Sequence, residues 1–189
     1  MNQTVIVING APRSGKSTFV KMAKRHFSKI HHGSVAEYSS MDIIKKIASR
    51  YFGWKKTKEV ADRKMLSDMK DIAIEYNDLP FKWLREEVYK QFGNWNKKVI
   101  FLHVREPQEI EKLRRYFTEK TNYSFLSLFI SNSKAEEESK KFRNTGDSNV
   151  KDYPYDVYIP NEGTLKDFRN KAKDFCNILI NTTEIRKSA

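Results

Sequence analysis

Apolar runs and amphipathic segments alternate along the chain. Val5 to Ile8 and Val99 to Val104 are almost continuously apolar, as strands buried on both faces of a parallel sheet are. Shorter runs at Val35 to Tyr38, Phe125 to Ile130 and Tyr155 to Ile159 read as further strands. Between them, apolar residues recur at helical spacing. Phe19, Ala23 and Phe27 predict a helix from Ser17 to about Phe27. Ile43, Ile44, Ile47, Ala48, Tyr51 and Phe52 predict a second, started by Ser39 to Asp42 and stopped by Gly53. Ala61, Met65, Met69, Ile72, Ala73 and Tyr76 mark a third, broken at Asn77 to Pro80, where Asp78 is placed to cap. Phe81, Leu84, Val88 and Phe92 mark a fourth, ending at Gly93. Pro107 opens another with Ile110, Leu113 and Phe117 inward, and Leu165, Phe168, Ala172, Phe175 and Leu179 define the last. Strands alternating with helices imply a three-layer α/β fold with a mostly parallel sheet, although strand order is not readable from the pattern.

The first strand runs directly into chemistry. Gly10-Ala11-Pro12-Arg13-Ser14-Gly15-Lys16-Ser17 satisfies the phosphate-loop pattern, with Thr18 continuing into the helix. Glycines let successive backbone N–H groups turn towards phosphate oxygens, and the start of the following helix adds positive potential. In such a loop Lys16 neutralises β/γ charge and the Ser17 hydroxyl holds Mg²⁺, so the expected ligand is ATP with Mg²⁺. Because ligands in open α/β sheets bind beyond the carboxyl ends of the strands, the loop, Ser39–Asp42, Arg105–Glu106 and Asn161–Gly163 are expected along one rim.

A chain of 189 residues suits one domain, here 1–189. A net charge of +12 calls for an anionic partner: nucleotide phosphates, nucleic acid or an acidic surface. No arginine-rich stripe with interleaved aromatics is evident, although the charge leaves nucleic acid permitted. Cys176 is the only cysteine, so an intrachain disulfide is excluded, and its surroundings read as a buried helix face. No apolar run has the length of a membrane span, and the expectation is a cytoplasmic protein. His26, His31 and His32 lack a carboxylate or cysteine set and read as surface residues. Tyr38 and Trp83 read as core residues before base-stacking ones. Homodimerisation is left open.

Several segments, taken in order, resemble the deoxynucleoside monophosphate kinases of bacteriophages, in the P-loop group that also includes animal-type phosphomevalonate kinase. The loop Gly10 to Ser17 resembles the family's loop, with a basic residue before Ser-Gly-Lys. Ser40-Met-Asp-Ile-Ile-Lys45, running to Phe52-Gly53, resembles its second-strand exit, and Arg63-Lys-Met-Leu its arginine-led acceptor segment. Val99 to Glu111 resembles its strand leading into Asp-x-Arg, and Asp156 to Leu165 its closing Asn-Asp-Gly-Ser/Thr-Leu turn. The chain departs at His103-Val104-Arg105, which lacks the strand-end carboxylate; Glu106 and Asp42 are the substitutes considered. The proline of the second-strand exit is also missing.

The resemblance implies ATP-dependent phosphoryl transfer to a small-molecule substrate, a (deoxy)nucleoside monophosphate, giving the diphosphate. It implies catalytic roles for Lys16, Arg13 and Arg105, and acceptor contacts from Asp42, Lys45, Arg63, Arg105 and Arg143. Helices of about 41–93 would build the acceptor side, and the Lys- and Glu-rich segment of about 131–153, with Lys141 and Arg143, would close as a lid. Two other chemistries fit the loop: phosphorylation of another small phosphorylated metabolite, and a nucleic-acid-associated ATPase or nucleotide switch. Nucleotide binding without turnover is a further reading that the missing carboxylate leaves open.

Overall fold

A computed structural model of the chain describes residues 3–31, 35–57, 59–93, 97–141, 150–151 and 153–185. In chain order the elements are β1 (Thr4–Asn9), α1 (Lys16–His31), β2 (Val35–Ser39), α2 (Met41–Tyr51), α3 (Val60–Asn77), α4 (Leu79–Gly93), β3 (Val99–His103), α5 (Pro107–Lys120), β4 (Ser124–Ser131), α6 (Ser133–Lys141), β5 (Val157–Pro160) and α7 (Leu165–Ile185). The strands form one five-stranded sheet in the order β2-β3-β1-β4-β5. Every pairing is parallel, with Ile8 beside His103 and Leu128, and Ser39 beside His103. Strand β1 is thus central and entirely buried.

Alternate residues of each strand feed opposite faces. Ile6, Ile8, Phe101, Leu128 and Ile130 pack with Phe19, Val20 and Phe27 of α1 and with Phe168, Ala172 and Phe175 of α7. Val5, Val7, Ile100 and Leu102 meet Trp83, Leu84 and Val88 of α4 and Ile110, Leu113 and Phe117 of α5. A smaller cluster of Ile44, Ala48 and Leu66 joins α2 to α3, with Met41, Trp54 and Met69 against it.

Cys176 is fully buried, and burial pushes its thiol up to about 12, leaving it inert. Tyr38 meets Trp83 edge-to-face at 5.6 Å, so both rings pack as core residues. His26 is half-buried, its Nε2 lying 2.8 Å from Asn177 Oδ1; His32 lies outside the described residues.

Several boundaries differ from the sequence pattern. Helix α1 runs to His31 because its last turn projects beyond the core, where Ile30 is exposed and no periodic signal is needed. The last strand starts at Val157, since Tyr155 turns to the opposite core cluster before it. Asp78 does not cap α4 with its side chain: its left-handed backbone (φ 58°) closes α3, and its carboxylate takes Lys112 at 2.8 Å. Part of the expected lid is helical. Helix α6 is held by Asn132, whose Oδ1 accepts from Ala135 N at 2.9 Å, and by Glu162, which accepts from Ser133 N and Oγ. Arg143 lies outside the described residues.

Candidate active site

The loop after β1 is shaped by backbone that only glycine accepts easily. Gly10 has φ 144°, and a Cβ there would come within 2.3 Å of the Ile130 carbonyl oxygen. Gly15 has φ 106°, and its Cβ would meet Asn161 Nδ2 at 2.6 Å. Between them Ala11 and Pro12 are half-buried, Arg13 is left-handed (φ 66°), and Ser14 N donates to Ala11 O at 3.1 Å. The loop is anchored by Asn9, which is fully buried. Its Oδ1 accepts from Gly10 N at 2.8 Å, and its Nδ2 donates to Arg105 O at 2.9 Å and Tyr155 Oη at 2.8 Å. Asn161 holds the far side, donating to Ser14 O at 2.9 Å.

Lys16 Nζ donates to Gly10 O at 2.7 Å and Ala11 O at 2.8 Å, so the ammonium lies folded onto its own loop. Ser14 Oγ is buried and has no partner among the described residues. Ser17 and Thr18 are exposed in the first turn of α1, which carries no acidic residue to oppose an anion.

Sheet order brings the strand exits to one edge. Ser40 N donates to His103 O at 3.2 Å, Arg105 O takes Asn9, and Asn161 N donates to Ser131 O at 2.8 Å. The loop, Ser39–Asp42, Arg105–Glu106 and Asn161–Gly163 therefore lie along the carboxyl edge, with β2 and β3 on one side of the loop and β4 and β5 on the other. Arg105 and Lys45 have exposed side chains there and on α2. The Arg13 side chain is 85% exposed, 3.5 Å from Glu138 of α6.

Both substitutes for the strand-end carboxylate already hold a partner through one oxygen. Asp42 Oδ2 accepts from Ser39 N at 2.7 Å, closing the turn into α2, and Glu106 pairs with Lys70 of α3. The carboxylate that meets His103 comes from β2 instead. Glu37 Oε1 lies 2.8 Å from His103 Nε2, and its Oε2 lies 2.7 Å from Lys24 Nζ. Bonding to His103, with Lys24 beside it, outweighs burial and holds Glu37 at about 2. The sequence signal was Glu37 inside a strand, a charge at a position the sheet cannot leave unpaired.

Lys70 was also missed. It shares the buried face of α3 with Leu66, one turn earlier, and its side chain is 9% exposed. Arg63 is exposed and seven residues before Lys70, about 10 Å along the helix, so α3 delivers Lys70 rather than Arg63 to the β3 exit.

On the β4–β5 side a cleft of about 380 Å³ opens beside the loop. It is lined by Arg13, Gly15 and Thr18 of the loop and α1, by Asn132, Asn161, Glu162 and Gly163 at the strand exits, by Lys134 of α6, and by the apolar Leu165 and Phe168 of α7. Apart from the loop and turn residues, this lining comes from long-range packing that no local motif announces. Among the described residues no group of three or more His, Cys, Asp or Glu could hold a metal, and no helix is long and apolar enough to cross a membrane.

The phosphate-loop sequence thus follows the central strand of an all-parallel five-stranded sheet, the α/β fold that the sequence pattern implies. The chain is similar in structure to thymidylate kinase from Ehrlichia chaffeensis, at 13% identity and a TM-score of 0.48 over 95% of this chain and 100% of that one. It is also similar to the APS kinase CysC of Mycobacterium tuberculosis. In complex with AMPPNP and APS the TM-score is 0.46, at 13% identity over 94% of this chain and 98% of that one. In a cysteine-to-alanine variant it is 0.42, at 13% identity over 94% and 97%. No protein-family model matches the chain, and no curated protein matches it.

Proposed function

We propose that the protein is a kinase that transfers the γ-phosphoryl group of ATP to a (deoxy)nucleoside monophosphate. The observation that carries this reading is the loop. Two glycines keep it open, the Lys16 ammonium rests on its carbonyls, and the buried Ser14 hydroxyl has no partner among the described residues. Phosphate oxygens would accept from the Ser14 hydroxyl and draw the Lys16 ammonium from carbonyls to anions. The adjoining cleft suits the donor's base and sugar, with Phe168 and Leu165 beneath and Asn132 and Asn161 as polar contacts. The acceptor is then assigned to the β2–β3 side.

An acceptor phosphate is already an anion and needs no strong general base, so alignment and positive charge supply the catalysis. Lys16 moves from its carbonyls to the β/γ oxygens, and the start of α1 adds its N–H groups. Arg105, whose carbonyl is tied through Asn9 to the start of the loop, orients the acceptor phosphate, with Asp42, Lys45 and Arg63 on the α2–α3 wing. Arg13 is released from Glu138 to the donor. The donor set fits Mg²⁺, which keeps most of its waters and takes one or two protein groups: the exposed Ser17 hydroxyl in the first helical turn is such a group. Bound there, Mg²⁺ would neutralise phosphate charge.

A coupled assay with ATP, Mg²⁺ and a panel of ribo- and deoxynucleoside monophosphates tests this. ADP should form only when an acceptor is present, and Lys16→Ala should lower kcat/KM by about 100-fold or more. Hydrolysis independent of every acceptor, or full activity of Lys16→Ala, would overturn the assignment.

A further inference from the structure

Helix α2 and the connector after it carry a one-sided charge. Residues 43–58 contain six Lys or Arg and no Asp or Glu. Lys45, Lys46, Arg50, Lys55 and Lys56 are all exposed. None of these five forms an ion pair among the described residues, whereas Lys24, Lys64, Lys70, Lys90, Lys112, Arg114 and Lys151 each face a carboxylate. Two exposed rings stand among them: Tyr51 is 70% exposed and Phe52 63%. The Arg50 guanidinium lies 5.4 Å from the Tyr51 ring centroid, a cation beside a stacking platform.

Unopposed cations at this density attract a polyanion, and uncovered aromatic rings between them suit unpaired bases. A duplex presents no free base faces to Tyr51 and Phe52. A lipid surface would call on a tryptophan at the interface, but Trp54 is turned inward against Ile44, Ala48 and Leu66. We propose that the exposed face formed by Arg50, Tyr51, Phe52, Lys55 and Lys56 binds single-stranded nucleic acid. The face begins at the far end of α2, whose 11 residues span about 16 Å from the carboxyl edge of the sheet. It is therefore separate from the phosphate loop and independent of the kinase reading.

Fluorescence anisotropy of the full chain with a labelled oligothymidylate or oligouridylate of about 20 nucleotides, longer than a typical single-strand site, tests the proposal. Binding should weaken between about 50 and about 200 mM salt. The triple variant Arg50→Gln, Lys55→Gln, Lys56→Gln should bind about tenfold more weakly or worse, with the salt slope reduced by about 2, at roughly 0.7 per lost cation. Tyr51→Ala with Phe52→Ala should weaken binding about fivefold or more and leave the slope unchanged. Lys16→Ala should bind the oligonucleotide normally, so loss of the kinase assignment and loss of this one are separable. Unaltered binding by both surface variants would overturn the proposal. So would equal or tighter binding to duplex, or binding to phosphatidylserine vesicles without binding to the oligonucleotides.

Discussion

Asn9 joins three parts of the site with one amide: the first residue of the loop, the exit of β3 and the Tyr155 hydroxyl. Asn9→Ala removes one hydrogen bond from each of these groups, and chemical denaturation should show a loss of about 3 kcal/mol. Nothing local in the sequence distinguishes Asn9 from the phosphate-loop residues that follow it, because its two partners outside the loop are 96 and 146 residues away. Glu37 stands out as a charge inside a strand, but its partner His103 becomes a neighbour only through strand order. Its pKa is lowered from 4.5 to about 2 in the folded chain, so its contribution is complete above about pH 4.5 and disappears as pH falls towards 2. Urea midpoints measured across that window should fall for the wild type. Glu37→Gln should begin lower at neutral pH, fall less, and converge with the wild type near pH 2.

Among the elements, α3 reaches the sheet through Lys70 and Glu106, a pair with one buried carboxylate oxygen that has no partner among the described residues. Removing one member strands the other. Lys70→Met should cost about 2 kcal/mol in thermal or urea unfolding, and adding Glu106→Met should recover most of it. Most elements were readable because each carries an apolar stripe towards a neighbour, as Ile44 and Ala48 do from α2 towards α3 and Ile110, Leu113 and Phe117 do from α5 towards the sheet. Helix α6 had no such stripe. Among its described side chains only Ala135 is buried, and the helix depends on the Asn132 cap and on Glu162 from another loop. The Asn132-Ser133 pair ahead of a run of helix formers was the signal available for it.

At the scale of the whole molecule, the sequence disclosed the layers and the phosphate loop but not which strand lies beside which. Each strand's apolar run reports burial, and burial is the same for any order of the buried strands. The two sides of the rim became distinct only when β3 and β4 were seen to flank β1. The three hydrophobic clusters are also unequal. Those on the sheet faces hold β1 rigidly from both sides, whereas α2 and α3 share only Ile44, Ala48 and Leu66 as buried apolar residues. A unit closed by so little buried surface can open without the rest. Amide hydrogens of α2 and of the first half of α3 should exchange with deuterium well before those of β1, β3 and β4. If all exchange together, the molecule opens as one cooperative unit; if α2 and α3 lead, the half of the rim beside β2 has its own local unfolding equilibrium.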